Sequence, residues 1–200
     1  MAHVDDGALY QSNLAYIRDS MAQPLLSREH EHELAVAWKE RADVKALHEL
    51  VRAYGRLAVS MAARFRHYGL PLGDLIQEGN IGLMQAAQRF EPEREIRFST
   101  YATWWIRAAM QDYILRNWSI VRTGTTAAQK SLFFNLRRLR ARIATSTGNT
   151  DLTDEGRAEI AKELGVPMHD VVAMEQRLTA SDQSLNATIS ADGEDEWQRT

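Results

Sequence analysis

The stretch from Arg89 to Trp118 reads RFEPEREIRFSTYATWWIRAAMQDYILRNW and is the most informative part of this chain. On a helix that begins near Ser99, Tyr101 lies three and four residues before two tryptophans, so the three rings share one side. Single-stranded nucleic acid needs such a surface, because unstacked bases stack on rings while guanidinium groups hold the phosphates. The side chains concerned are Phe98, Tyr101, Trp104 and Trp105, with Arg94, Arg97 and Arg107 beside them.

An ordinary buried core is the alternative explanation for these rings, since globular proteins bury most of their large aromatic side chains. Two adjacent tryptophans, however, point about 100° apart on a helix, so one buried face cannot easily take both. The pattern therefore favours an exposed aromatic surface.

Two longer strings resemble the most distinctive region of bacterial RNA polymerase sigma factors of the sigma-70 family. They are DLIQEGNIGLMQAAQRF, from Asp74 to Phe90, and RFSTYATWWIR, from Arg97 to Arg107. A third string, QKSLFFNLRR from Gln129 to Arg138, resembles a segment typical of the heat-shock branch, and the likeness runs from about Asn13 to about Asp195. The heat-shock-type positions are Gln129, Lys130, Phe133, Phe134, Asn135 and Arg137.

The resemblance implies an all-α protein with two small helical domains. Residues 13–120 would form the region 1.2 and region 2 helical bundle, and residues 123–180 a three-helix region 3 domain. Residues 1–12 are expected to be disordered, and residues 181–200 form an acidic, extended linker. The final domain of the family, region 4, which reads the −35 element, is absent, so we expect either a fragment or a factor that cannot read that element by itself.

The composition of the chain limits its possible size class, cellular location and fold independently of that likeness. A length of 200 residues with 44% hydrophobic content suffices for one core or two small helical domains. The chain has no cysteine, which excludes disulfides and cysteine–zinc sites and fits a reducing cytoplasm. We find no signal peptide, and no apolar run approaches the roughly 18 residues of a transmembrane helix. We therefore expect a soluble, cytoplasmic protein.

The formal net charge of −3 conceals a segregation of charge along the chain. Residues 89–142 hold 11 basic and 4 acidic side chains, a balance of +7, whereas residues 151–200 hold 4 basic and 12 acidic ones, a balance of −8. The basic middle matches a polyanion. The acidic tail is either solvated or lies in a positively charged channel where nucleic acid would otherwise run.

Helical periodicity predicts a short helix over Asn13–Met21, a second one capped by Ser27, and amphipathic helices over Ala46–Tyr68 and Leu72–Phe90. The run Glu29-His30-Glu31-His32-Glu33 invites a metal-site hypothesis. Histidines two residues apart face opposite ways on a helix, however, and the HExxH arrangement is missing. We predict a solvated helix face there and no metal site.

Two glycines inside the Leu72–Phe90 helix indicate a close approach by a neighbour. Gly79 and Gly82 each cost about 1 kcal/mol relative to alanine, so either tight packing within the domain or a partner must favour them. In the family, the matching surface docks on a coiled coil of the polymerase's largest subunit. The resemblance assigns core-polymerase binding to Asp74, Gln77, Glu78, Asn80 and Met84.

By the same resemblance, the central stretch captures flipped bases of the −10 element on the non-template strand. Tyr101 would stack on the flipped adenine, and Trp104 and Trp105 would support the upstream fork. Removing a base from the duplex costs a few kcal/mol, and stacking on an aromatic ring returns roughly 1–3 kcal/mol per base. The adenine pocket would be lined by Phe90, Glu91, Arg94, Thr100 and Tyr101, and the predicted DNA-binding set also includes Phe98, Trp104, Trp105, Arg107 and Gln111.

Three positions depart from the housekeeping pattern of the family. Ile96 stands where a tyrosine is usual, which removes one stacking contact. Ala108 replaces a glutamine that helps to read the upstream base pair of the −10 element, and Gln111 replaces a threonine. These changes imply a different promoter class and agree with the heat-shock assignment.

The last third of the chain predicts a small helical domain. Residues 119–129 read as a loop, followed by a helix with Lys130 and four arginines opposite its apolar side. The spacing from Ala161 to Gly165, with a helix opening at Val166 and Pro167, is that of a helix-turn-helix. Its second helix has only Arg177 as a sure cation, which makes a poor major-groove reader. A structural three-helix domain over about 123–179 is therefore favoured.

The sequence thus predicts a transcription initiation factor that binds core RNA polymerase and promoter DNA. No nucleophile–base pair, phosphate-binding glycine loop or metal cluster is found, so we expect no enzyme, cofactor or small-molecule substrate. The alternative is a regulator that occupies core polymerase without promoter-specific initiation. The heat-shock likeness further implies control of its level by a chaperone and a membrane protease.

Overall fold

The computed structural model describes residues 7–118, 126–147 and 152–179, and the regular elements in these ranges are all helices. The predicted all-α fold is thereby confirmed over the described part of the chain. The chain divides into two compact units, Met1–Trp118 and Ser119–Thr200. No helix within the described ranges has the length and apolar content that crossing a bilayer requires.

The described part of the first unit consists of α-helices joined by short connections. They are α1 (Gly7–Ala22), α2 (Arg28–Arg41), α3 (Val44–Phe65), α4 (Leu72–Arg89) and α5 (Phe98–Asn117). A short 3-10 turn, Arg66–Tyr68, follows α3. The helices α3 and α4 lie where the amphipathic periodicity predicts them, and Pro92 lies in the connection between α4 and α5.

Helix α1 begins at Gly7, earlier than Asn13 and inside the segment 1–12 that was expected to be disordered. That expectation is wrong for residues 7–12, while residues 1–6 lie outside the described ranges. The reason is tertiary packing of α1 on α3 and α4: a methyl group on Gly73 of α4 would meet the Asn13 side chain, and one on Gly55 of α3 would be only 3.4 Å from the Ser20 hydroxyl. Packing of one face supplies most helical stability in proteins, so the helix extends beyond its own sequence pattern.

Side chains cap two helices of the first unit at their N-termini. The Ser27 hydroxyl accepts a hydrogen bond from the His30 N–H, which confirms the predicted cap of α2. Asp43 accepts from the N–H groups of Lys45 and Ala46 and begins α3. Between them, Ala42 takes a left-handed conformation with φ of 51°, so α2 and α3 turn sharply into each other.

Helix α4 packs closely on both α3 and α5, and its glycines make this possible. A methyl group on Gly79 would clash with Met110 of α5 and lie 2.9 Å from the Ala58 Cβ of α3. A methyl group on Gly82 would lie 2.7 Å from the Trp105 carbonyl oxygen. Tight packing within the domain, one of the two explanations open from the sequence, therefore accounts for both glycines.

The described part of the second unit is a three-helix arrangement of α6 (Ala127–Thr147), α7 (Asp154–Leu164) and α8 (Met168–Thr179). Gly165, with φ of 65°, makes the turn between α7 and α8. The predicted apolar side of α6 is buried together with side chains from the other two helices, namely Leu132, Phe133, Leu136, Leu139, Ile143, Ile160, Val171 and Met174.

Helix α6 is longer at both ends than the sequence predicts. It begins at Ala127, inside the expected loop, because the Thr126 hydroxyl accepts from the Gln129 N–H and starts the helix. The sequence from Thr145 to Thr153, with Gly148 and Asn149, predicts a turn, but the helix takes in Thr145–Thr147. Residues 119–125 of the predicted loop, residues 148–151 of the predicted turn and the whole acidic linker, 181–200, lie outside the described residues.

Candidate nucleic-acid and partner surfaces

The aromatic residues at the start of α5 differ in exposure: Phe98 is buried, Tyr101 and Trp105 are half-buried, and Trp104 is exposed. The Phe98 ring is fully buried, and its centroid lies 5.2 Å from both the Tyr54 and the Phe90 centroids in edge-on contacts. Phe98 was predicted to contact DNA, and its burial contradicts that prediction. As the first residue of α5 it packs against the Tyr54 ring of α3, where it supports the surface from beneath.

A connected row of rings and guanidinium groups lies above Phe98. The Tyr101 centroid is 5.7 Å from that of Phe90 and 6.2 Å from that of Trp105. The Arg89 guanidinium carbon lies 4.6 Å from the Trp105 centroid, within the range of a cation–π contact. Of the two tryptophans, only Trp105 is in ring contact with Tyr101 in the described structure.

Trp104 is the most exposed aromatic residue of this surface. Its side chain is 69% accessible, and the Arg107 guanidinium carbon lies 5.9 Å from its ring. Its ring and the guanidinium group of Arg107 therefore lie side by side on the exposed part of α5. Thr100 and Arg107 are also exposed and Gln111 is half-buried, so this end of α5 is accessible.

A small cavity of about 80 Å³ opens beside Tyr101. It contains four of the five residues predicted to form the adenine pocket, while Thr100 lies outside its lining. Ile96 also contributes to the wall, and the Glu91 carboxylate pairs with the Arg94 guanidinium at the rim. We call this cavity the Tyr101 pocket; its lining residues are Arg89, Phe90, Glu91, Arg94, Ile96 and Tyr101.

Glu31 is a buried carboxylate that the sequence pattern did not reveal. It is 3% exposed, so the prediction of a solvated face over residues 29–33 is wrong at this position. The Phe98 backbone N–H donates to Glu31 Oε1 at 2.9 Å, and Arg97 Nε donates to the same oxygen at 3.1 Å. Arg97 Nη2 donates to Oε2 at 3.1 Å, and the Tyr54 hydroxyl also donates to Oε2.

These hydrogen bonds determine the charge state of the group. Burial raises the pKa of the Glu31 carboxyl, but the bonds from Arg97, Tyr54 and the Phe98 N–H outweigh it, so the net shift lowers that pKa. Burial and the bond to Glu31 raise the pKa of Tyr54 to about 12. At neutral pH the cluster is therefore an ionised carboxylate surrounded by donors.

A second surface lies on α4, at the positions assigned to polymerase docking. Gln77 and Met84 are exposed, and Ile81 between them is 47% accessible. Asp74 and Asn80 are fixed by neighbouring helices: the Tyr113 hydroxyl of α5 donates to Asp74 at 3.0 Å, and the Tyr16 hydroxyl of α1 donates to Asn80 at 3.0 Å. We call this surface the α4 face; it comprises Asp74, Gln77, Glu78, Asn80, Ile81 and Met84.

A cleft of about 570 Å³ continues the α4 face towards α5. Its lining includes Glu78 and Ile81 of α4 and Trp105, Tyr113 and Arg116 of α5. Burial, followed by the hydrogen bond to Asp74, raises the pKa of Tyr113 to about 12, so this hydroxyl remains a donor at neutral pH. The α4 face therefore combines an exposed apolar centre with polar groups that are held in place.

The heat-shock-type positions on α6 serve different structural roles. Phe133 is buried and meets the half-buried Phe134 edge-on, with centroids 5.0 Å apart. The Asn135 side chain donates to the Ser131 carbonyl at 2.8 Å, whereas Arg137 is exposed. Gln129 and Lys130 are half-buried at the first turn of the helix.

Salt bridges within the second unit engage several of its cations. Arg142 pairs with Glu159 and Glu163, and Arg157 pairs with Asp154 and Glu175. The pair between Arg157 of α7 and Glu175 of α8 thus holds these two helices together. Within the described ranges, no group of three or more histidine, aspartate or glutamate side chains could hold a metal ion.

Comparison with known proteins gives these surfaces a family context. Residues 50–120, which contain α4, α5 and the Tyr101 pocket, match the family model for sigma-70 region 2. The chain is 50% identical over 183 residues to "RNA polymerase sigma factor RpoH" of Caulobacter vibrioides, covering 92% of this chain and 62% of that protein. It is 47% identical to the protein of the same name from Zymomonas mobilis, covering 94% of this chain and 62% of the relative.

A protein with another name is also similar. "RNA polymerase sigma-C factor" of Myxococcus xanthus is 44% identical over 179 residues, which cover 90% of this chain and 60% of that protein. The chain thus spans about three fifths of the length of these curated relatives. The predicted resemblance to sigma factors is confirmed by both comparisons: residues 50–120 match sigma-70 region 2, and the chain is similar to RNA polymerase sigma factors over about nine tenths of its length.

Proposed function

We propose that this chain is a transcription initiation factor that binds core RNA polymerase and opens the −10 element of promoters, those of heat-shock genes in particular. The observation that carries the proposal is the row of aromatic and arginine side chains around the Tyr101 pocket, within the region 2 match. In this row Phe90 is buried, Tyr101 and Trp105 are half-buried, and Trp104 is exposed. Relatives named as RNA polymerase sigma factors, similar over more than nine tenths of this chain, support it.

Strand opening requires that the protein return the energy of unstacking a base. Unstacking costs a few kcal/mol, and one aromatic stack returns roughly 1–3 kcal/mol. Tyr101 is half-buried, so one part of its ring is fixed by Phe90 and Trp105 while the other remains accessible. A fixed ring loses little conformational entropy when a base stacks on it, which favours capture.

Polymerase docking is assigned to the α4 face. Its apolar centre, Ile81 and Met84, supplies area to bury, and Gln77 and Glu78 supply the polar rim that protein interfaces have. The Tyr101 pocket is formed by other residues, so docking and base capture would be separable by mutation. Docking on a coiled coil of the largest subunit follows from the family resemblance, as does control by a chaperone and a membrane protease.

The test titrates the full chain with a −10 non-template oligonucleotide, with and without core polymerase, and follows tryptophan fluorescence. We expect quenching that needs the core and depends on the base sequence. The double variant Tyr101→Ala, Trp104→Ala should weaken strand binding more than tenfold, because it removes stacking worth roughly 1–3 kcal/mol per base. Its affinity for core polymerase should stay unchanged.

A second variant tests the α4 face. Gln77→Lys with Glu78→Lys should weaken core binding, and His67→Ala, an exposed ring outside both surfaces, serves as the control. Core binding without any base-dependent response would favour the alternative function, a regulator that occupies polymerase without opening promoters. No response in either condition would refute the initiation-factor proposal.

A further inference from the structure

We propose that α2 is a positioning element for base capture, in which the buried Glu31 holds Arg97 and the first residue of α5 so that the Tyr101 pocket keeps its shape. The inference rests on the proposed function and assigns a role to a helix whose residues 28–41 lie before the region 2 match. Glu31 is hydrogen-bonded to Arg97, Tyr54 and Phe98 rather than to Tyr101, Trp104 or Trp105, so its effect on a bound base would be indirect.

Helix α5 is not capped by its own N-cap residue. Arg97 occupies that position, and its side chain makes no capping hydrogen bond. The free N–H of Phe98 is satisfied instead by Glu31 from α2, at 2.9 Å. A carboxylate at a helix N-terminus also interacts favourably with the helix dipole. The beginning of α5 is thus fixed by another helix rather than by its own sequence.

The short connection between α4 and α5 is held by the same helix. Residues 90–97 contain most of the Tyr101 pocket lining, including Arg94 and Ile96. Glu31 holds the end of this connection through Arg97, and Lys39, farther along α2, reaches its middle through Glu93 at 3.3 Å. Helix α2 therefore contacts the connection at two points. Ile96 and Arg94 lie only one and three residues before Arg97, so a shift of Arg97 would also displace these two pocket residues.

The energetics of the Glu31 cluster favour a positioning role. Replacing buried charges by apolar residues is often neutral or stabilising, and the Arg97 side chain is 41% accessible, so the Glu31–Arg97 pair is weak evidence for a purely structural role. The carboxylate here makes directional bonds to a guanidinium, a hydroxyl and a backbone N–H, which fix orientation as well as distance. Arg97 is tied further by a 3.2 Å bond from Nη2 to the Leu26 carbonyl. Fixing the orientation of a site in this manner is what preorganised binding requires.

The experiment compares holoenzymes that carry the wild-type chain, Glu31→Gln, Tyr54→Phe and, as a matched control, Glu40→Gln on the exposed face of α2. Strand affinity is measured with the −10 non-template oligonucleotide well below the unfolding temperature, and core affinity is measured in parallel. We expect Glu31→Gln to weaken strand binding about tenfold, the effect of losing one charged hydrogen bond. Core affinity and the control should stay within about twofold of wild type.

A local readout separates positioning from a loss of folding. Amide hydrogen exchange in Glu31→Gln should increase at Phe98 and in residues 91–97, while α3 and α4 keep their protection. Tyr54→Phe keeps the ring in the core and removes only one donor to the carboxylate, so it should fold normally and show a smaller loss of strand affinity. This variant tests the proposal even where Glu31→Gln fails to fold.

Unchanged strand affinity in both Glu31→Gln and Tyr54→Phe would overturn the positioning role. Equal losses of core and strand affinity in folded Tyr54→Phe would also overturn it, because they indicate general destabilisation. These outcomes differ from failure of the proposed function, in which the wild-type holoenzyme itself would show no base-dependent binding and Tyr101→Ala would have no effect.

Discussion

At the scale of single residues, Phe98 and Trp104 have opposite environments although they lie on the same helix. Six residues at about 100° each place them on different sides of α5. Phe98 is fully buried against Tyr54 and Phe90, whereas Trp104 is 69% exposed beside Arg107. The sequence assigned both to the DNA-binding surface, because composition and spacing do not reveal which side of a helix its neighbours cover.

Glu31 likewise differs in burial from the other two glutamates of its sequence run. It stands in a run of alternating glutamates and histidines in which Glu29 and Glu33 are exposed, as the pattern predicts. Only the middle glutamate turns inward, because Arg97 and Tyr54 offer it donors. A charged residue can be buried at acceptable cost only when such partners are present, and they come from distant parts of the chain.

The Glu31 cluster predicts a specific loss of stability in acid. The folded-state pKa of Glu31 lies below the ordinary value of 4.5, so its contribution is fully present above pH 4.5 and is lost as the pH falls through the folded pKa. Urea unfolding between pH 3 and 6 should show a decline in stability that is less steep in Glu31→Gln. Equal slopes in both proteins would mean that the carboxylate contributes no such linkage.

At the scale of elements, α4 connects the two candidate surfaces, since it carries the α4 face and ends beside the Tyr101 pocket. Its buried side fits α3 and α5 only because Gly79 and Gly82 lack side chains. Its polar side is held by Tyr16 of α1 and Tyr113 of α5. Neighbouring helices therefore determine both how the buried side of α4 packs and how its polar side chains are held.

This packing predicts that alanine destabilises α4 despite its higher helix propensity. Gly82→Ala gains at most about 1 kcal/mol of propensity but places a methyl group 2.7 Å from the Trp105 carbonyl oxygen. Overpacking of this kind costs about 1–3 kcal/mol, so we expect a net loss of stability in urea unfolding.

The matched control for that prediction is Gly73→Ala, in the first turn of the same helix. There the new methyl group would meet the end of the Asn13 side chain, which can move away. We expect little change or a slight gain in stability. A Gly82→Ala protein as stable as Gly73→Ala would show that α4 and α5 can separate without cost.

At the scale of the whole molecule, the division into Met1–Trp118 and Ser119–Thr200 places both candidate surfaces in the first unit. That unit has its own buried side chains from α2 to α5, among them Leu50, Leu83 and Ile106. A unit with its own core can fold alone. We therefore expect a fragment of residues 1–118 to be helical by circular dichroism and to unfold in one cooperative transition.

A fragment that unfolds without a cooperative transition would contradict this expectation. It would mean that the core of the first unit forms only when residues 119–200 are present. The full chain, unfolded under the same conditions, is the reference. Retention of the Glu31-dependent acid sensitivity in the fragment would further localise that effect to the first unit, where all of its partners lie.

The sequence alone determined the helical class, the approximate limits of α3, α4 and α5, the apolar side of α6, and the family resemblance. These properties depend on local spacing: a period of 3.6 residues, turn residues between helices, and ordered strings of side chains. Four of the five residues predicted for the adenine pocket also line one cavity. Three of them lie in the short connection between α4 and α5, and Tyr101 follows it in the first turn of α5.

Only the tertiary structure decided which rings are exposed, why α4 contains glycines, where α1 begins and what Glu31 does. Each of these depends on contacts between residues far apart in sequence, such as Glu31 with Phe98 or Gly79 with Met110. Periodicity says which residues share a helix face but not which neighbour covers that face. The burial of a charged or aromatic side chain, and with it the contribution of that side chain to stability, is therefore fixed only when the helices pack.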